Sequence, residues 1–140
     1  MREILFRGKR VDNGEWVNGY FIKANHHWHE HDVHEDWIAV YTIQNGGWFT
    51  VRGKYAVVPE TIGQYTGLTD KNGNKIFEGD ILKGMGGLHR VYFDISLACF
   101  EWAKINGNWH ESFSVFADEY EIIGNIHDNP ELLKEREQNG

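Results

Sequence analysis

Five histidines fall within nine residues, at His26, His27, His29, His31 and His34, interleaved with Glu30, Asp32, Glu35 and Asp36. Imidazole and carboxylate are the ligands of Zn²⁺, Ni²⁺ and catalytic divalent metals with an open position. On an extended segment His27, His29 and His31 project to one face. On a turned segment His31 and His34 share an ion. His27, His29, His31 and His34 are therefore the candidate metal ligands. Their spacing repeats no established ligand pattern, and the competing reading is a polar surface loop that takes up metal as any His tract does. His89, His110 and His127 are scattered and read as structural or surface residues. His127, between a last strand and a helix start, reads as a backbone cap.

The other chemistry-bearing residues resolve mostly into turns. Glu78 and Asp80 flank Gly79 in FEGDIL and share a face of a strand, as an acid–base pair or metal partners for the histidines would. The favoured reading is a turn or bulge in which Asp80 bonds nearby amides. Asp70-x-Asn72-x-Asn74 opens like a calcium loop, but Lys75 and Ile81 stand where an EF-hand needs Gly and Glu. An Asx turn explains the same residues. Gly84, Gly86 and Gly87 fail as a phosphate loop, since no Lys-Ser/Thr follows them. Cys99 is the one cysteine, which excludes an intramolecular disulfide and a Cys-rich zinc site. Lying in an apolar run, it reads as a small buried hydrophobe. No catalytic residue is assigned.

The elements that would position these residues read as strands. Met1 to Ile22 forms a hairpin about Asn13-Gly14, with Gly8 and Gly19 marking bulges or close backbone approach. Ala24 to Asp36 is loop. Trp37 to Thr42 and Trp48 to Val51 flank Asn45-Gly46-Gly47 as a second hairpin, and Tyr55 to Val58 is a short strand ended by Pro59. A third hairpin turns at Asn72-Gly73, each Asn-Gly placing both central residues at positive φ. Lys83 to Gly87 reads as a flexible connection. Arg90 to Ile95 alternates, with Val91, Phe93 and Ile95 on one face. Ala98 to Ala103 sets Phe100 and Trp102 together with Glu101 opposite. Asn106-Gly107 leads to Trp109–Phe116, and Glu121 to Ile126 is a last strand. Asn129 and Pro130 predict a short C-terminal helix over 128–138.

This is a mainly-β chain of antiparallel hairpins, with a small barrel of SH3-like type expected over 79–126 and the N-terminal strands extending or covering it. The 140 residues suit a single domain, 1–140, with sub-parts at 1–66, 67–127 and 128–138. With 41% apolar residues, a real core is expected. The formal charge of −7 weighs against nucleic acid, whose binding rests on Lys and Arg neutralising phosphates. That function would need Arg2, Arg7, Lys9 and Arg10 to join Lys83 and Arg90 on one face. No stretch approaches the roughly 18 apolar residues of a membrane span and no signal-peptide core opens the chain, so a cytoplasmic protein is expected. Six Trp, six Tyr and eight Phe exceed what a small β core buries, and exposed aromatics suit a protein interface or base stacking.

Three ordered stretches resemble the YopX family of phage and prophage proteins: REILFRGKRVDNGEWVNGY at the start, VVPETIGQYTGLTDKNGNKIFEGDIL from Val57 to Leu82, and EIIGNIHDNPELL from Glu121 to Leu133. The resemblance implies a phage or prophage setting, a mainly-β fold with an SH3-like portion, and self-association. It implies no activity, substrate or catalytic residue. The His-rich stretch falls between the matching motifs, so a function built on those histidines would belong to this chain and not to the family. The functional expectation is an accessory protein that acts by self-association or by binding a phage or host protein, without catalysis or cofactor. The alternative is a metal-binding module or metal-dependent enzyme built on the histidines, and single-stranded nucleic-acid binding stands third.

Overall fold

The computed structural model describes residues 3–23, 36–43, 49–84, 86–105, 110–112 and 115–133. The chain divides into two compact units, Met1–Gln64 and Tyr65–Gly140. Strands with antiparallel neighbours dominate both, and the helical residues described form only short 3-10 turns.

In the first unit β1 (Phe6–Lys9), β2 (Trp16–Lys23), β3 (Asp36–Ile43) and β4 (Phe49–Ala56) pair in chain order. The start of β5 (Gly63–Thr69) adds to the free side of β1 through Phe6↔Gln64 and Arg7↔Gly63. The register sorts the side chains by face. Phe6, Gly8, Gly19, Phe21 and Ile38 share one face, where Ile38 is fully buried and the Phe6 and Phe21 rings meet at 5.7 Å. Gly8 is here because the chain comes close: a Cβ on it would stand 2.9 Å from Cβ of Val57. A 3-10 turn at Pro59–Thr61 follows. Thr61 Oγ1 accepts from Lys9 N at 2.9 Å and donates to Val58 O, tying that turn to β1.

In the second unit β5 continues to pair with β6 (Lys75–Phe77). A five-stranded sheet then runs in the order β10 (His110–Ser112), β9 (Cys99–Lys104), β8 (Gly87–Asp94), β7 (Asp80–Gly84), β11 (Glu121–Asn125). Its core joins Ile76, Leu82, Val91, Trp102 and Ala117, with Leu68, Tyr120 and Ile122 packed against it. His89 is a core residue, its ring 5.5 Å from Trp102 and 5.4 Å from Tyr120.

Several sequence expectations change here. Of the expected connection at 83–87, Lys83 and Gly84 belong to β7 and Gly87 to β8, the two strands pairing through Gly84↔Gly87, with Gly86 and Gly87 at φ 87° and 112°. At the described Asn-Gly turns only the glycine takes positive φ, Gly14 at 73° and Gly73 at 82°. Gly73 N donates to Asp70 O, so that turn places its left-handed residue after the bend rather than within it. The closed SH3-like barrel over 79–126 is not observed. Among the described residues the edge strands β10 and β11 do not pair, and the sheet stays open. The C-terminal helix reduces, over its described residues, to a 3-10 turn at Pro130–Leu133 with no buried residue. Leu132 and Leu133 are only half-buried, too little to anchor a longer helix, and the Asn129 side chain, meant as its cap, accepts from Asn125 N.

Candidate functional site

The candidate metal ligands His27, His29, His31 and His34 lie outside the described residues, as do His26 and the carboxylates between them. Among the described residues no three His, Cys, Asp or Glu side chains gather as a metal site would require. The Asn45–Gly47 and Asn106–Gly107 turns lie outside the described residues too.

Asp80 is buried and its Oδ2 accepts from Phe77 N at 2.8 Å. Gly79, at φ 96°, donates its N–H to Val91 O and receives Ile126 N on its carbonyl. The Glu78-Gly79-Asp80 step is thus a turn that welds β6 to β7 and to the strands beside it. Asp70 plays a similar part in the preceding loop. Its Oδ1 accepts from Asn72 N and Asn74 N, and its Oδ2 accepts from Ile122 N on β11 at 3.1 Å. Burial pushes this carboxyl up, but the amides of Ile122, Asn74 and Asn72 outweigh it and hold the group below the usual carboxylate range. Lys71 N also donates to Tyr120 O. The calcium-like spacing therefore belongs to a pin between the Asp70–Asn74 loop and the last strand. Beside His127 the Asn125 side chain caps the backbone: its Oδ1 accepts from His127 N and Asp128 N.

Glu101 was not visible as a buried residue in the sequence. Alternation alone turns it away from Trp102, yet it is 1% exposed. Tyr92 and Glu101 are directly opposed across β8 and β9, and the phenol donates to Oε2 at 2.6 Å. That bond, reinforced by burial, pushes the Tyr92 hydroxyl up to about 12. Ile81 lies on the same face of the sheet by register and is also fully buried. Both faces are covered at this point, which alternation cannot report. Cys99 is half-buried rather than buried, its Sγ 4.0 Å from Glu101 Oε1.

Among the described residues two surfaces stand out. At the tip of the β8–β9 hairpin, Ile95 and Leu97 are 88% and 61% exposed, and Phe93 beside them meets Phe100 edge-on at 5.2 Å. The tip is held firmly. Asp94 Oδ1 accepts from Ser96 N, Ser96 Oγ and Leu97 N, and Ala98 closes the turn at φ 54°. In the first unit, the sheet face opposite Ile38 carries Arg7, Lys9, Trp16, Tyr20, Trp37 and Lys54 by register. Arg7 lies 4.7 Å and Lys9 5.7 Å above the Trp16 ring, Lys54 lies 5.0 Å above Trp37, and the Tyr20 and Tyr41 rings meet at 4.8 Å, tilted by 55°. Only residue spacing on β1 and β2 hinted at this face; the Lys54–Trp37 pair needed the register of β3 and β4.

The described residues include no helix long and apolar enough to cross a membrane. No curated protein matches the chain. Among solved structures it is similar to protein EF1440 from Enterococcus faecalis, with 26% identity, a TM-score of 0.55, and coverage of 95% of this chain and 99% of that one. The family described as YopX protein matches residues 5–134, taking in the first sequence motif from Leu5 onward and the whole of the other two, together with the Asp70 pin and the hairpin tip, and the chain belongs to it.

Proposed function

We propose that this protein is a phage or prophage accessory protein of the bacterial cytoplasm that works by self-association, without catalysis. The observation that carries the reading is the β8–β9 tip, where Ile95 and Leu97 stand 88% and 61% exposed on a turn that Asp94 fixes in advance. An ordered pair of aliphatic side chains in water is a standing cost that contact removes, at about 25 cal/mol per Å² of apolar surface covered. Because the turn is already ordered, little conformational entropy is lost on docking. A second copy is a suitable occupant, since two such tips bring Ile95 and Leu97 of each together, keep Asp94 bonded within its own turn and satisfy a two-fold contact. We read the supporting sheet, β7 to β11, as a small barrel of SH3-like strand number that is left open.

Light scattering coupled to size-exclusion chromatography tests this on tag-free protein. The unaltered chain is expected to run as a dimer or larger at micromolar concentration. Ile95→Asp/Leu97→Asp is expected to run as a monomer with an unchanged unfolding midpoint, because both side chains are already in water. A monomeric unaltered chain, or an oligomer that survives the double substitution, overturns the proposal.

A further inference from the structure

We infer that Asn13 is a site of spontaneous deamidation in the folded protein, and that Asp70 shields Asn72 from the same chemistry. The modification is independent of the self-association proposed above. Three Asn-Gly steps fall among the described residues, Asn13-Gly14, Asn18-Gly19 and Asn72-Gly73. At such a step the glycine nitrogen attacks Cγ of the asparagine, forming a C–N bond, closing a succinimide and expelling ammonia. Water then opens either carbonyl and leaves aspartate or isoaspartate in place of asparagine. One water enters and one ammonia leaves, so neither an oxidant nor an enzyme is required. The dipeptide is the same at all three places, and the folded surroundings decide where the reaction runs.

At Asn13 those surroundings favour it. Asn13, Gly14 and Glu15 are all exposed, and nothing lies within 4 Å of the place a Cβ on Gly14 would occupy. Asn13 Oδ1 accepts from Glu15 N at 2.9 Å, an Asx turn that folds the carboxamide back over the Gly14 peptide. Oδ1 is also the atom that gains negative charge when Cγ is attacked, so the Glu15 amide is a ready oxyanion donor. The neighbouring Asp12 carboxylate accepts from Arg10 Nε and Nη2 at 2.9 and 2.6 Å, which offsets its charge.

At Asn72 they oppose it. Gly73 N donates to Asp70 O as Gly14 N donates to Arg10 O, each at 3.0 Å, so that bond does not separate the two sites. The Asp70 carboxylate does. Its Oδ1 accepts from the amides on either side of Gly73, Asn72 N and Asn74 N, at 2.9 Å each. The attacking nitrogen is a deprotonated amide, and a carboxylate among its neighbours disfavours a second negative charge. The bonds from Ile122 N to Asp70 Oδ2 and from Lys71 N to Tyr120 O hold the loop against the opening that attack requires. Gly19 is buried in β2, which pairs with β1 and β3 and keeps the backbone there extended.

Peptide mapping by mass spectrometry tests this on the full chain, aged in mildly alkaline buffer with and without guanidinium chloride. The readout at each asparagine is the exchange of its side-chain NH2 for OH. In denaturant the three sites are expected to react at similar rates. In the folded chain Asn13 is expected to stay near its denatured rate and Asn18 to remain unreacted. Asn72 is expected to react about ten-fold or more slowly than Asn13, the ratio that roughly one hydrogen bond of extra barrier produces. Asp70→Asn, which keeps the shape and removes the charge, is expected to speed Asn72 and leave Asn13 unchanged. Equal rates at Asn13 and Asn72 in the folded chain overturn the inference, and that comparison stands whether or not the variant folds. A rate at Asn72 that Asp70→Asn does not raise overturns the shielding by Asp70.

Discussion

Asp70 shows how one side chain can hold distant segments of this chain. Three backbone amides converge on it, two from its own loop and one from Ile122, 52 residues on. Asp70→Ala leaves those donors unmet and is expected to cost about 2–4 kcal/mol, read from the urea midpoint. Its pH dependence has a fixed sign. The folded carboxyl sits below its unfolded value, so its contribution is complete above the unfolded pKa of about 3.9 and fades as pH falls through the lower folded value. Acidification below about pH 4 should therefore destabilise the unaltered chain more than Asp70→Ala. The sequence showed this residue as an Asx turn and hid its long-range partner, because nothing in DKNGN names the amide of Ile122. Glu101 was harder still. Its place opposite Tyr92 follows from the hairpin register, but its burial depends on what covers a second face of the sheet.

Strand pairing was the most legible level. The hairpins β1–β2, β3–β4 and β8–β9 follow from alternation and turn residues, both of which are local. The helix at the end and the closure of the sheet were misread because each depends on tertiary partners that local signals do not encode. Gly84 illustrates an element-level constraint of the same kind. A Cβ there would stand 2.6 Å from Tyr120 Cδ2, and Tyr120 is stacked 4.7 Å from Trp102 in the core. Gly84→Ala is expected to push the Tyr120 ring off Trp102 and to cost about 1–3 kcal/mol, with a change in the near-ultraviolet aromatic signal. An unaltered spectrum and midpoint would show that β7 shifts freely beneath the ring.

Over the whole molecule the family was legible and the activity was not, because the shared motifs fall on residues that fold the chain. Asp70, Gly79 and Asp80 tie loops to strands, whereas the exposed hairpin tip sits on Ile95 and Leu97, outside every motif. The charge of −7 and pI near 5.6 add a further expectation. Charge repulsion between molecules fades as pH falls toward 5.6, leaving apolar contact unopposed. Light scattering should rise between pH 8 and that point, and rise less for Ile95→Asp/Leu97→Asp. An equal rise in both proteins would place the contact elsewhere.

The pairing of β7 with β11 sets a timetable for synthesis on the ribosome. In the first unit β2, β3 and β4 each meet the strand just before them and can form as they emerge, while β1 waits for Gly63 and Gln64 of β5 on its other edge. β7 finds β8 at once, but its other edge waits for Glu121–Asn125, and Asp70 waits equally long for the amide of Ile122. Through that interval a nascent chain carries an open, apolar strand edge bearing Ile81 and Leu82, the kind of edge that invites pairing with a neighbouring chain. A pause or truncation before β11 therefore leaves this edge, with Ile81 and Leu82, unpaired at its least protected moment.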